Sequence, residues 1–296
     1  MLPWDDLRVF LATCRTGSHA AAARALQVAP TTVGRRLAAL EGAVGARLFT
    51  RTPEGLAPTA AARALLPRAE RMEVEAAEAE RALRGADARA AGTVRLTCGD
   101  GFAHFVLAPA LPAFLAAHPG LELEVRAGPK ALDLTRGEAE VALRNFRPRE
   151  RSLVVRRLGL EVQGLYAAPA YLAARGVPRA AADLAAHDLV LYDREFDRVR
   201  GQIWLRGIAP SARITVRANT TSLMHAACAA GGGIALLSAA LVAGDPRFER
   251  VLPRLEPPEL ELWTATHADL RESARVAVTL RFIEGLVRRP GFEPVR

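Results

Sequence analysis

The chain has 296 residues, half of them hydrophobic, which is enough for two or three domains with a sizeable buried core. Its net charge of +8 is compatible with a polyanionic partner, but Lys130 is the sole lysine, so composition bias explains the charge equally well. The N-terminus is acidic and no apolar run approaches the roughly 18 residues of a membrane span, which predicts a cytoplasmic protein without a membrane partner. The three cysteines, Cys14, Cys98 and Cys228, are far apart and form no metal or disulfide pattern.

The first forty residues predict three short helices. Apolar residues at helical spacing indicate a first helix over residues 5–15, and Ser18 stands at the N-cap of a second helix over residues 19–26. Pro30 opens a third helix that runs to about Leu40. Its outer face carries Thr31, Thr32, Arg35 and Arg36. This pattern is typical of a helix-turn-helix whose later helix enters the DNA major groove, and the alternative is a solvated helix face with two arginines.

The next segment predicts a wing. Residues 46–58 form two short strands around a turn at Pro53, with Leu48 and Phe49 fixing the wing to the helical core. Arg51 is then free to reach a phosphate.

In this order, these features resemble the DNA-binding module of LysR-type transcriptional regulators. The residues that carry the resemblance lie between positions 2 and 66 without a gap: Leu7, Phe10, Gly17, Ser18, Ala22, Ala23, Leu26, Val33, Leu37, Leu40, Glu41, Gly45, Leu48, Phe49, Arg51 and Thr59. The resemblance implies a DNA-contacting set of Ser18, Thr31, Thr32, Gly34, Arg35, Arg36 and Arg51. Three positions depart from the family pattern: Ala29 and Gly34 each replace a serine, and Ala61 replaces a glycine.

A linker helix is predicted from residue 59 to about residue 83, with Thr59 as its cap and a local kink at Pro67. Apolar residues recur along it at spacings of four and three, which is the seam of a coiled coil. That seam predicts a homodimer contact, and the alternative is one amphipathic helix packed on its own domain. The predicted seam consists of Leu65, Ala69, Met72, Ala76, Ala79 and Leu83.

The rest of the chain predicts an α/β region. Strands 94–98, 121–125 and 140–144 alternate with helices over 102–117 and near 131–136, which gives a parallel βαβαβ unit. A second such unit follows, with elements at 160–167, 169–172, 188–192, 214–217, 221–230 and 234–237. The strand 260–266 returns toward the first unit and a helix over 268–289 closes the chain. The order resembles the two-lobed, periplasmic-binding-protein-like effector domain of the same family, with lobe I at about 92–160 and 267–296 and lobe II at about 161–266.

Ligands of such folds lie where strand ends and helix N-termini face the cleft. Arg144 suits an anion such as a carboxylate, whereas Asp100 favours a zwitterion such as an amino acid; Asp100 and the two threonines before the helix at 221 serve equally well as helix caps. The residues expected to line the effector site are Thr97, Gly99, Asp100, Gly101, Arg144, Asn145, Tyr192, Asn219, Thr220 and Thr221.

Together the chain is predicted to be a winged helix-turn-helix (residues 1–58), a linker helix (59–89) and an α/β effector domain (92–296). The resemblance implies a nucleoid-associated regulator with four kinds of partner: a palindromic promoter site in double-stranded DNA, a small-molecule effector, further copies of itself as dimer or tetramer, and RNA polymerase. The alternative is a solute-binding module without direct DNA regulation. The six histidines are scattered and match no hydrolase, protease or metal motif, so we expect no catalytic residue, metal or other cofactor.

Overall fold

A computed structural model describes residues 2–53, 55–85, 90–128 and 132–295, without the side chains of residues 78 and 81–85. The chain divides into two compact units, Met1–Glu80 and Arg81–Arg296. Among the described residues, no helix has both the length and the apolar character needed to cross a bilayer.

The N-terminal unit begins with α1 (Trp4–Thr16), α2 (His19–Leu26) and α3 (Pro30–Val44). Local signals set their ends. Gly17 and Gly45 end α1 and α3 at positive φ, where glycine meets no steric penalty, and Ser18 caps α2 through its hydroxyl. The inner faces of all three helices share one core that includes Leu7, Phe10 and Leu37. The predicted helix-turn-helix is confirmed.

The predicted wing is also present, as the antiparallel strands β1 (Phe49–Thr52) and β2 (Gly55–Pro58). The backbone N–H of Leu56 donates to the carbonyl of Gly17 at 2.8 Å, so β2 is fixed against the turn between α1 and α2. Gly55 has φ +130°, and a Cβ there would lie 2.6 Å from that carbonyl oxygen. This close approach requires glycine.

The linker helix α4 (Ala60–Gly85) starts at Thr59, whose hydroxyl accepts from Ala62 N–H and donates to the Arg47 carbonyl. Its first turns pack on the core of the N-terminal unit, and Arg15 of α1 donates to the Glu73 carboxylate at 3.0 Å. The first half of α4 is therefore an integral part of that unit.

In chain order, the elements of the second unit are β3 (Gly92–Cys98), a π-helical segment (Phe102–Leu107), a 3₁₀ turn (Ala108–Ala110), α5 (Leu111–Ala117), β4 (Leu121–Ala127), β5 (Val141–Arg144), β6 (Leu153–Glu161), β7 (Gln163–Ala167), α6 (Pro169–Arg175), a 3₁₀ segment (Ala181–Ala186), β8 (Asp188–Tyr192), a 3₁₀ turn (Arg194–Phe196), α7 (Arg200–Ile208), β9 (Arg213–Ala218), α8 (Thr221–Ala229), β10 (Ile234–Ser238), α9 (Ala239–Val242), β11 (Glu249–Val251), β12 (Leu260–His267), a 3₁₀ turn (Ala268–Leu270), α10 (Ala274–Leu286) and β13 (Phe292–Pro294).

These strands form two sheets. The first lobe has six strands in the order β13-β6-β12-β5-β3-β4, with β3 parallel to both β4 and β5. Its main core packs α5 and α10 against one sheet face, where Phe114 and Phe282 stack at 4.0 Å. The second lobe has five strands in the order β11-β7-β10-β8-β9, with β8 parallel to β9 and β10. Apolar clusters cover both of its faces because alternate residues of each strand point to opposite sides. The predicted two-lobed α/β architecture is confirmed.

The prediction of a helix near residues 131–136 is wrong for residues 132–136, which are not helical. Residue 131 lies outside the described residues. A turn follows Leu132 instead. The Asp133 carboxylate accepts from the backbone N–H of Thr135 and Arg136, and Gly137 adopts φ +70°. An aspartate that captures nearby N–H groups competes with the helical hydrogen bonds, so a turn forms.

Two further details differ from the prediction. The predicted element 160–167 is divided between the sheets, because β6 ends at Glu161 in the first sheet and β7 begins at Gln163 in the second. The second lobe does not extend to residue 266, because β12 pairs with β5 and β6 of the first sheet. The elements α7, α9, β11 and β13, and the part of β6 before residue 160, were not predicted.

Candidate nucleic-acid interface and ligand site

The outer face of α3 presents two polar side chains to solvent. Thr31 and Arg35 are exposed and lie four residues apart, so they share one helix face. The opposite face is fully packed through Val33, Leu37 and Leu40. Within the described residues no ion pair involves Arg35. A rigid helix thus holds a free guanidinium and a hydroxyl outward, as groove recognition requires.

Arg36 is placed differently from its neighbour. Its guanidinium forms ion pairs with Asp6 at 3.1 Å and Asp5 at 3.2 Å, both in the first turn of α1. Arg36 was predicted to contact DNA, and in the structure its guanidinium links α3 to α1 through these two ion pairs. The cause is a pair of carboxylates thirty residues away.

The other residues of the helices that were predicted to contact DNA are Ser18, Thr32 and Gly34, and the structure shows the local environment of each. The Ser18 hydroxyl accepts from Ala21 N–H at 3.4 Å, and Thr32 is half-buried in the first turn of α3. Gly34 has room for a side chain, because a Cβ there would meet only the His19 ring at 4.0 Å. As expected from Ala29, α3 begins without a side-chain cap.

The wing places Arg51 at an exposed strand position. Glu41 holds this wing in place, since its carboxylate accepts from the backbone N–H of Leu48 at 2.6 Å and Phe49 at 3.3 Å. Glu41 belongs to the residues that carry the family resemblance, but this role in the wing was not predicted. The sequence signal for this role was the position of Glu41, directly after the apolar residues of α3 and just before the turn into the wing.

The predicted coiled-coil seam is divided along α4. Ala69 is fully buried and Leu65 partly buried against the core of their own unit. Met72 is 46% exposed, Ala79 is exposed and Ala76 is half-buried. The side chain of Leu83 lies outside the described residues. The first part of the seam therefore packs within the chain, and the second part faces solvent.

In the second unit, Tyr192 at the end of β8 and Asp100 after β3 contact the N-terminus of α8, and Arg144 at the end of β5 contacts Thr97 of β3. We call this cluster the interlobe site, and it consists of Thr97, Asp100, Gly101, Arg144, Tyr192 and Thr221. The Thr97 hydroxyl accepts from the Arg144 guanidinium at 3.3 and 3.4 Å. The Asp100 carboxylate, from the first lobe, accepts three hydrogen bonds from Thr221 and Ser222 of the second. The hydroxyl groups of Tyr192 and Thr221 are hydrogen-bonded to each other.

Arg144 is the least compensated charge of this site. It is 8% exposed, and its acceptors are neutral: the Thr97 hydroxyl and, at 3.4 Å, the Leu143 carbonyl. Burial lowers the pKa of the guanidinium because a low dielectric disfavours its charge. No carboxylate lies within ion-pair distance of Arg144 in the described part of the chain. Such a buried cation fits an anionic ligand.

Two carboxyl groups border the same region. Burial raises the pKa of Glu161, although hydrogen bonds from Ser238 and Asn145 oppose this effect. Burial also raises the pKa of Tyr192 to about 12, and the charges of Asp100 and Glu161 add to the increase, so both carboxyls lie near this phenol. Glu161 was missed by the sequence analysis because only the division of the strand at residue 162 brings it here.

The remaining predicted residues lie at the margin of the site. Asn145 donates to Glu161 at 3.0 Å, and Thr220 caps α8 by accepting from Leu223 N–H. Gly99 and Asn219 are exposed. The glycines 231–233 follow α8 and precede β10, which is the position of a helix end and the reverse of the strand-to-helix order of a dinucleotide phosphate loop.

Comparison with known proteins finds two family models. A model described as a bacterial regulatory helix-turn-helix protein of the lysR family matches residues 4–63, and the LysR substrate binding domain matches residues 87–287. The Mau operon transcriptional activator of Paracoccus denitrificans is 34% identical over 274 residues, which cover 91% of each chain. The transcriptional regulator DmlR of Escherichia coli is 28% identical over 287 residues, 94% of this chain and 92% of that one.

Solved structures show the same fold. CrgA of Neisseria meningitidis, a LysR-type regulator, superimposes with a TM-score of 0.60 at 24% identity over 95% of this chain and 97% of that one. Full-length AphB of Vibrio cholerae gives a TM-score of 0.65 at 22% identity, over 96% and 99%. CbnR complexed with its target DNA gives 0.56 at 23% identity, over 97% and 99%.

Proposed function

The chain belongs to the LysR family of transcriptional regulators, and from this premise we propose that it reads promoter DNA with the outer face of α3. It is a DNA-binding transcriptional regulator with a substrate-binding effector domain. Arg35 and Thr31 enter the major groove, Arg51 of the wing meets a phosphate, and Ser18, Thr32 and Gly34 face the backbone of the duplex. Arg36 supports the reading helix from behind.

The observation that carries this proposal is the contrast between the two faces of α3. One face is locked in the core by Val33, Leu37 and Leu40, and the other offers Arg35 without an ion pair in the described residues. A good arginine contact to a base edge contributes about 1–3 kcal/mol of discrimination.

Fluorescence anisotropy with a labelled duplex from the promoter region of its own gene tests the proposal. We expect tight, salt-dependent binding that is much weaker for a scrambled duplex. Arg35→Ala should weaken specific binding by about tenfold or more. Arg254→Ala is the matched control, because it removes an exposed arginine of the second unit and changes the net charge equally. Equal affinities for both duplexes would refute the proposal.

We further propose that two copies associate through the exposed part of α4, as dimer or tetramer, so that two reading helices meet a palindromic site. Met72, Ala76 and Ala79 supply the contact, and Ala69 is excluded because its own unit buries it. Met72→Glu should weaken the assembly, whereas Met72→Leu should preserve it, since only the charge opposes burial. Light scattering during gel filtration, over a range of concentrations, distinguishes the two; an unchanged mass for Met72→Glu would count against this contact.

For the second unit, we propose that Arg144 binds the acidic group of a small effector, a carboxylic acid or an amino acid. The support is a buried guanidinium with neutral acceptors at the junction of two lobes. Effector binding then shifts the balance between lobe arrangements, and α4 passes the change to the DNA-binding units. A regulator of this kind works at the nucleoid, within reach of RNA polymerase, and needs no catalytic residue.

A further inference from the structure

The N-terminus of α8 already holds a carboxylate that belongs to the protein. Asp100 follows β3 in the first lobe, and its carboxylate accepts from the backbone N–H of Thr221 at 3.2 Å, from that of Ser222 at 2.8 Å and from the Ser222 hydroxyl at 2.8 Å. The free N–H groups and the dipole at a helix N-terminus favour an anion. In this protein, that preference is met across the lobe boundary by Asp100.

The surrounding contacts leave little space for a second anion at these donors. Gly101, next in the chain, lies so close to α8 that a Cβ there would be 2.7 Å from the Thr221 methyl group and 3.0 Å from the Leu241 side chain. The Thr221 hydroxyl is engaged by Tyr192, and the Thr220 hydroxyl caps α8 at Leu223. Gly101 and Tyr192 therefore both pack against the N-terminus of α8.

The charges around the site separate into one cation and two carboxyls. Burial raises the pKa of the Cys98 thiol to about 12, while the charge of Arg144 opposes this increase and that of Asp100 adds to it. Glu161 and Asp100 both act on Tyr192. A ligand here meets one buried guanidinium, Arg144, while the ionised carboxylate of Asp100 repels a second negative charge.

We infer that Asp100 is a built-in anion at α8 and limits the effector to one acidic group, which Arg144 binds. This inference rests on the effector-binding function proposed above and specifies its ligand class. The effector is a monocarboxylate, or an amino acid whose ammonium group faces Asp100 or Glu161. Dicarboxylates are excluded, because their second carboxylate finds its donors occupied by Asp100 and meets like charge.

Three four-carbon acids make a matched set of probes: butyrate, succinate and 4-aminobutyrate share a carboxylate and differ at the far end, which carries a methyl group, a second carboxylate or an ammonium group. Their dissociation constants are measured by calorimetric titration of the full chain at constant ionic strength. The proteins compared are the wild type, Asp100→Ser and Asp100→Asn. Asp100→Ser empties the α8 N-terminus, and Asp100→Asn keeps the side-chain shape without the charge.

In the wild type, succinate should bind no better than butyrate. In Asp100→Ser, succinate affinity should increase by roughly tenfold or more relative to butyrate, because charge-assisted hydrogen bonds to the freed N–H groups become available. Asp100→Asn should give a smaller change in the same direction, and it serves as the test if Asp100→Ser does not fold. Adding Arg144→Gln should abolish the gain.

Neither Asp100 variant gaining succinate affinity would overturn the inference, whether or not the wild type binds any probe. So would a wild type that prefers succinate to butyrate. The effector-binding function is tested separately by wild-type binding of butyrate and 4-aminobutyrate, which Arg144→Gln should weaken. If that result holds and the Asp100 variants gain no succinate affinity, only the role of Asp100 fails.

Discussion

Two arginines, Arg35 on α3 and Arg144 at the end of β5, show how the two units of this protein treat charge. Arg35 is hydrated on an exposed helix face, and packing on the opposite face fixes its position. Arg144 is buried, and its hydrogen bonds go to neutral oxygens. Replacing a solvent-exposed charged side chain has little effect on folding stability. A buried charge without a counterion destabilises the folded state until an oppositely charged ligand binds to it. In our proposal, the same residue type therefore binds a polyanion from an exposed helix face and a small anion from a buried position.

The largest effect is expected at Gly55, where the wing approaches the backbone of the turn between α1 and α2. Gly55→Ala should destabilise the N-terminal unit by about 2–4 kcal/mol, because φ is +130° and the new Cβ would lie 2.6 Å from the Gly17 carbonyl oxygen. Gly42→Ala is the control: it lies inside α3 with no atom near a Cβ, and it should stabilise by about 0.5–1 kcal/mol. Urea unfolding measures both, and hydrogen exchange of residues 4–66 assigns the change to this unit. Similar effects for both variants would refute the proposed clash.

The buried arginine provides the next test. Arg144→Met should stabilise the second unit by about 1–2 kcal/mol, because it replaces a desolvated cation with an apolar chain of similar length. Arg35→Met should change stability by less than about 0.5 kcal/mol. Thermal unfolding without added acids compares the two variants. A less stable Arg144→Met protein would mean that the guanidinium is already compensated, and the contrast between the two arginines would disappear.

A smaller loss of unfolding free energy is expected for replacement of Arg36, which is next to Arg35 in the chain but forms ion pairs with α1. Its side chain is 34% exposed, so screening limits the value of its ion pairs with Asp5 and Asp6. Arg36→Ala should destabilise the N-terminal unit by about 0.5–1 kcal/mol, and Asp6→Ala should reproduce most of that loss. If Asp6→Ala leaves urea stability unchanged while Arg36→Ala lowers it, the ion pairs are not the cause.

A pH effect of a buried histidine should be the smallest. His225 of α8 is 2% exposed, lies between the rings of Phe105 and Phe248, and has no partner for Nε2 in the described residues. Burial lowers its pKa, and the charge of Arg247 and the nearby His104 add to this, against the opposing Leu241 carbonyl and Asp245. The unfolded chain therefore binds a proton first as the pH falls below about 6.5, and stability decreases from there.

Replacing this histidine isolates its share of the pH dependence. His225→Asn should reduce the loss of unfolding free energy between pH 7.5 and 5.5. Part of the loss should remain, because burial also lowers the pKa of His187. His118→Asn, in the first lobe, is the control. Equal pH dependence in the wild type and His225→Asn would contradict a buried neutral imidazole.

The same contrast explains what the sequence could predict. The helix His19–Leu26 and the strand Asp188–Tyr192 were located to the residue, because caps, turns and alternation are encoded by neighbours in the chain. The face of α3 was also predictable, since one helix carries it. The partners of Arg36 and the bonds from Asp100 to α8 were not, because they join positions 30 and more than 120 residues apart. The division of the predicted strand 160–167 at Val162 depends on sheet pairing, which hydropathy does not encode.

The central claim is that Arg35 reads DNA while the adjacent Arg36 supports the helix from within. Its most direct test is the specific affinity of Arg35→Ala and Arg36→Ala for the promoter duplex, measured side by side at a temperature where both are folded. The account predicts a loss of about tenfold or more for Arg35→Ala and a clearly smaller loss for Arg36→Ala. A full loss for Arg36→Ala with wild-type affinity for Arg35→Ala would contradict it.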